Sequence, residues 1–170
     1  MINALFAIDQ FGGMGYNGTM PWPRNSVDLQ NFRDLTMGHV VVMGRGTWND
    51  RNMPKPLQGR ITYVATNQSY LANTAVIRGN IREEILKIEQ RHPDKIIWVV
   101  GGAELLNQCE NIFDRLYLTH YQGSYKIDTR INLKSFLSGW MPKTASADPN
   151  TNFTTVVYEN LFGRIKTSTT

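Results

Sequence analysis

One carboxylate stands where it could handle a proton. Asp28 follows a glycine-rich stretch and the tripeptide Pro21-Trp22-Pro23, inside Gly15 to Arg33 (GYNGTMPWPRNSVDLQNFR), with apolar Trp22, Val27, Leu29 and Phe32 nearby in sequence. A carboxyl that has lost part of its water can hydrogen-bond a heterocycle and help deliver a proton. The plain alternative is an acid supporting the first turn of a helix. Thr119, on a later strand, could supply a hydroxyl partner.

A second group of residues suits phosphates and carboxylates. Glycines fall after three apolar runs: Gly12 to Gly18, Gly44-Arg45-Gly46 and Gly101-Gly102. In an open α/β sheet such turns lie at the carboxyl ends of strands, where ligands gather. Backbone N–H groups opening a helix attract anions. None of the three is a GxGxxG fingerprint or a P-loop, and each alone could be only a tight turn. Arg45 opens a helix, a poor place for a cation unless an anion joins it. Arg60 follows a proline-rich loop and could hold a carboxylate by a two-point fork. Either arginine could equally be solvated surface.

Other chemistries find little support. His39, His92 and His120 lack metal-ligand spacing, and Cys109 is the single cysteine, so no metal centre or internal disulfide is expected. No G-x-S-x-G or H-E-x-x-H occurs. The net charge of +4 comes from scattered arginines and lysines, which disfavours nucleic acid as a partner. No signal peptide is visible, and no segment approaches the roughly 20 apolar residues that span a bilayer. We expect a cytoplasmic protein with no membrane partner and a monomer as the default state.

The elements that must position these residues follow from the apolar pattern. With 41 % hydrophobic and 19 % charged residues the chain is globular. We expect strands over Ile2 to Ile8, His39 to Met43, Ile61 to Ala65, Thr74 to Ile77, Ile96 to Val100, Arg115 to Tyr121 and Thr154 to Leu161. Helices are expected after a Ser26 cap, opening at the glycine turn Gly44-Arg45-Gly46-Thr47-Trp48, after an Asn80 cap to about Gln90, and from Ala103 to about Cys109. Gly123 to Asn152 reads mostly as connection, with an edge strand or short helix near Leu133. Strands alternating with helices argue an α/β, mostly parallel sheet. The two last strands lack a helical crossover and should be an antiparallel addition at the edge. Residues 1–165 are expected to form one domain, with a frayed tail at 166–170. Trp48, Trp98 and Trp140 read as core, and Trp22 as the exception.

Six motifs in order resemble the dihydrofolate reductase family over most of the chain. They are Met20-Pro21-Trp22 with Asp28-Leu29-x-x-Phe32, Val42-Met43-Gly44-Arg45-x-Thr47-Trp48, Pro56-Leu57-x-Gly59-Arg60, Val99-Val100-Gly101-Gly102, Leu116-Tyr117-Leu118-Thr119, and Asp128-Thr129. The resemblance implies a three-layer dihydrofolate-reductase-like fold and NADPH-dependent reduction of dihydrofolate, inhibited by antifolates. It makes Asp28, Trp22 and Thr119 the catalytic set. It places substrate against Leu5, Asp28, Leu29, Phe32, Leu57, Arg60, Val100 and Thr119. It places cofactor against Ala7, Gly15, Met20, Gly44, Arg45, Gly46, Thr47, Thr66, Asn67, Val100, Gly101, Gly102, Ala103, Glu104 and Leu105. Gly46 and Glu104 stand where some members carry a basic residue, which implies a weaker preference for NADPH over NADH. An extra residue between Trp22 and Asp28 implies altered loop dynamics. Two other readings stand beside this one: a reductase of the same fold acting on another pterin or a pyrimidine, and a non-catalytic protein that retains the fold.

Overall fold

The computed structural model describes residues 1–55, 57–68, 71 and 74–164. Pro56 and the tail at 166–170, both named above, lie outside them. The chain runs β1 (Ile2–Ile8), β2 (Gly13–Gly15), α1 (Ser26–Thr36), β3 (Val40–Gly44), α2 (Arg45–Asn49), β4 (Ile61–Ala65), β5 (Ala75–Ile77) and α3 (Ile81–Arg91). It continues β6 (Ile97–Val99), α4 (Ala103–Gln108), β7 (Arg115–Tyr121), β8 (Thr129–Arg130), α5 (Leu133–Phe136), β9 (Trp140–Ala147) and β10 (Phe153–Asn160).

Eight strands form one sheet in the order β5-β4-β3-β6-β1-β7-β10-β9. The pairs from β5 to β7 are parallel. β10 is antiparallel to both β7 and β9. This is the mixed, mostly parallel α/β sheet expected from the sequence. β2 and β8 form a separate antiparallel pair.

Apolar runs without alternation become strands buried on both faces. In β3, Val40 and Val42 enter one core with Ile85, Ile88, Leu105 and Phe136 from α3, α4 and α5. Val41 and Met43 enter the other with Trp48 and Leu57, and Phe32 of α1 packs against it. Burying each such side chain contributes roughly 1.5–3 kcal/mol. β1 departs from the rule at its end: Leu5 and Ala7 are only partly buried while Phe6 and Ile8 are covered. That alternation marks the face on which the cavity opens.

Three expectations need correction. The cap of α1 is Asn25, whose side chain accepts the N–H groups of Val27 and Asp28, and not Ser26, which is already helical. Trp140–Ala147 is a full strand where mostly connection was expected. It is the sheet edge and exposed along nearly its whole length, so no apolar alternation announces it. Trp140 is half-buried at the margin of the core, not within it. The stops behaved simply: Gly38 follows α1 with φ +80°, a conformation suited to glycine.

Candidate functional site

β7 and α1 bring together the groups that could move a proton. Ala7 of β1 lies in register with Thr119 of β7, and Leu5 with Tyr117. Side chains two apart share a strand face, so Tyr117, Thr119 and Tyr121 point the same way. Thr119 Oγ1 donates to Asp28 Oδ1 at 3.3 Å. The Tyr121 phenol donates to Asp28 Oδ2 at 2.8 Å. Asn25 performs the helix cap, so the Asp28 carboxylate is turned to the sheet rather than to its own helix. Burial pushes the Asp28 carboxyl above the usual range, and the bonds from Tyr121 and Thr119 pull it back.

This carboxylate borders a cavity of about 2080 Å³ that runs along the carboxyl ends of the strands. Leu5, Leu29, Phe32, Leu57 and Val100 form apolar wall around Asp28. Arg60 lines it too. Its Nε donates to the Gln58 carbonyl and one terminal nitrogen to Thr36 Oγ1. Burial, and then the nearby Arg33, hold the Arg60 guanidinium below its usual range. Among the described residues no carboxylate pairs with it, so an incoming carboxylate would relieve that cost.

The opposite part of the cavity is polar and built on glycines. Gly44, Arg45, Gly46 and Thr47 line it from β3 and α2, Thr66 and Asn67 from the turn after β4. Ala7, Gly15, Met20, Gly102, Ala103, Glu104 and Leu105 complete the wall. Gly101 is the one residue of the expected set that does not line it. It is buried, with φ +110°, and its carbonyl accepts the Gly44 N–H at 2.7 Å. A Cβ on Gly44 would lie 3.5 Å from Gly101 O and Gly102 N, so the two strand ends are drawn close. At Gly46 and Gly102 a Cβ would project into open space, which leaves backbone free to approach a ligand. Arg45 is held by Asn49 and Gln68, uncharged partners that leave its cation available to an anion. These residues fit a cofactor with several phosphates.

A loop covers one side. Asn17 N–H donates to Asp128 Oδ2 and the Asp128 N–H to Gly15 O, both at 2.9 Å. Thr19 Oγ1 donates to Asp50 Oδ2 at 3.1 Å. Trp22 closes the loop. It is 4 % exposed and stacks on Tyr121 with ring centroids 4.2 Å apart. Its indole N–H is buried without an acceptor among the described residues.

Tyr121 was missed in the sequence, although its place two residues after Thr119 in RLYLTHY carried the signal. His39 accepts from the Ile96 N–H, while His92 and His120 meet Tyr63 and Tyr158. Among the described residues no cluster of potential metal ligands occurs and no helix is long and apolar enough to cross a membrane. Cys109 is buried, and burial pushes its thiol up to about 12, away from the reactive thiolate form.

Comparison with known proteins agrees with this geometry. Residues 1–160 match the family model described as dihydrofolate reductase. The chain is 29 % identical over 145 residues to dihydrofolate reductase type 8 of Escherichia coli, covering 82 % of this chain and 85 % of the relative. It is 32 % identical over 131 residues to the dihydrofolate reductase of Lactococcus lactis, covering 76 % of each. With the dihydrofolate reductase of Mycobacterium leprae it shares 37 % identity over 107 residues, 62 % of each chain.

Proposed function

The chain belongs to the dihydrofolate reductase family, and we propose that it reduces 7,8-dihydrofolate to 5,6,7,8-tetrahydrofolate with NADPH. The observation that carries the reading is Asp28: a half-buried carboxylate at an apolar cavity wall, bonded to Thr119 and Tyr121. Each carboxylate oxygen has more than one lone pair, so one acceptor position per oxygen remains for the paired N–H groups of a pterin. Bound there, Asp28 orients the ring and promotes protonation at N5. Thr119 supports that bond. Leu5, Leu29, Phe32, Leu57 and Val100 hold the ring in apolar surroundings, and Arg60 takes the glutamate carboxylate at the tail.

NADPH supplies the hydride, passed from nicotinamide C4 to pterin C6. Arg45, Thr47, Thr66 and Asn67 hold its phosphates and ribose, with the backbone of Gly44, Gly46, Gly101 and Gly102 beside them. Ala103, Glu104 and Leu105 flank that end, and Ala7, Gly15 and Met20 the other. Met20 and Trp22 exclude water while the transfer takes place. Residues 1–165 act as one unit, a cytoplasmic monomer whose product feeds one-carbon transfer and thymidylate synthesis.

The test is to follow nicotinamide absorbance with purified protein, NADPH and dihydrofolate, with and without methotrexate. Rapid dihydrofolate-dependent oxidation blocked by methotrexate is expected. Tight NADPH binding without oxidation would favour a reductase of another pterin or a non-catalytic role.

A further inference from the structure

β7 carries two donors to Asp28, and only one of them faces the cavity. Thr119 lines the wall and Tyr121 does not. Tyr121 is 2 % exposed, and its bond to Oδ2 is the shorter at 2.8 Å against 3.3 Å. Its ring is clamped. Trp22 lies against it with planes 12° apart, and Phe153, its register partner on β10, packs at 5.2 Å. A phenol so confined has little freedom to turn its O–H elsewhere.

We propose that Tyr121 is a positioning residue, which fixes the Asp28 carboxylate from behind and sets the pH at which the site works. The consequence for turnover rests on reading Asp28 as the proton-handling group. A donor to an ionised carboxylate favours the charged form, and such bonds are about twice as strong as neutral ones. Burial works against it on the same carboxyl. The titratable groups bearing on the pair are few. Tyr125, beyond β7, faces Tyr121 and Trp22. His120, next on β7, turns away to Tyr158. Among the described residues no cation pairs with Asp28. Burial and the neighbouring carboxylate push the Tyr121 phenol far up, so it stays a donor wherever the protein is folded.

The test replaces one atom. In Tyr121→Phe the ring remains and the O–H is lost. Protein labelled with carboxyl-¹³C aspartate, without ligands, reports the titration of Asp28, its resonance assigned with Asp28→Asn. The midpoint should rise by about one pH unit in Tyr121→Phe. Difluorotyrosine at 121 makes the O–H a better donor and should lower it. In turnover, the limb where the rate falls with rising pH should move up in Tyr121→Phe. A midpoint that stays put in both variants overturns the proposal, even if the parent protein reduces dihydrofolate. Shifted midpoints in a protein that does not turn over would uphold the link between the two residues and overturn the proposed reaction instead.

Discussion

The side-chain oxygen of Asn25 accepts the backbone N–H of Asp28 at 3.1 Å, and this contact releases the Asp28 carboxylate from the helix. Asp28→Asn should therefore keep α1 capped. We predict that it slows hydride transfer by roughly 10²–10⁴-fold, the usual worth of a placed acid, with NADPH affinity unchanged. Its effect on stability has a definite sign. The folded carboxyl titrates above its ordinary 3.8, so the native state binds the proton more tightly than the unfolded chain. Ionisation then costs stability as pH rises from 3.8 through the raised value. The variant should melt higher than its parent at neutral pH and gain nothing below that window. Equal melting differences at both pH values would show that burial of the charge is not the cause.

Trp22 holds the other side of the device. Trp22→Ala removes the surface on which Tyr121 is stacked, and we expect a loss of about 3 kcal/mol in urea unfolding, as for buried aromatics elsewhere. Trp22→Phe should recover most of that stability. If Trp22 only filled space, Trp22→Phe would restore turnover as fully as it restores folding; we expect turnover to lag.

Much of this was legible in the sequence because the strands are apolar on both faces. INALFAI, HVVVM and IIWVV have no other plausible home than a covered sheet, and the glycines after them mark the strand ends where the cavity opens. Asp28 could be singled out by its neighbours, but its partners lie 91 and 93 positions away, and only the register of β7 brings them in. Asn25 and Ser26 are equally good caps as residue types. The backbone decides between them, since Asn25 has extended φ and ψ. The strand Trp140–Ala147 had no apolar face to betray it.

Arg60 offers a separable contact. A charge-assisted fork to a carboxylate is worth about 1.5–3 kcal/mol, so Arg60→Ala should weaken dihydrofolate binding roughly 10- to 100-fold. NADPH binding should not change. A pterin without the glutamate tail should bind parent and variant alike, read by quenching of tryptophan fluorescence. Equal losses for dihydrofolate and the truncated pterin would place Arg60 in the fold and not at the tail.

The loop should respond to Asp128. Its carboxylate accepts from Asn17 N–H and from Thr129 Oγ1, while its own N–H still reaches Gly15 O. Asp128→Ala removes the first two and keeps the third. Loss of about 1 kcal/mol from the closed loop alone would lower its population advantage roughly fivefold. Hydride transfer in single turnovers should slow by a similar factor with little change in melting. A large fall in melting temperature would mean that β2 and β8 support the fold itself.

Far from the cavity, Arg164 forks onto Glu89 at 2.7 and 2.8 Å and reaches Asp114 at 3.4 Å. Asp114 in turn accepts the Ile2 N–H at 2.7 Å, so one guanidinium links α3, the start of β1 and the segment after β10. Hydrogen bonding to Arg164 holds the Glu89 carboxyl below its ordinary 4.5. A depressed carboxylate contributes stability that is complete above 4.5 and is lost as pH falls through its folded value. Arg164→Ala should therefore cost about 1 kcal/mol at neutral pH, and the two proteins should converge in urea titrations at acid pH. Added salt should narrow the gap only slightly, because the pair is partly buried. A gap of the same size at acid and neutral pH would assign the effect to lost packing of the arginine stem instead of to its charge.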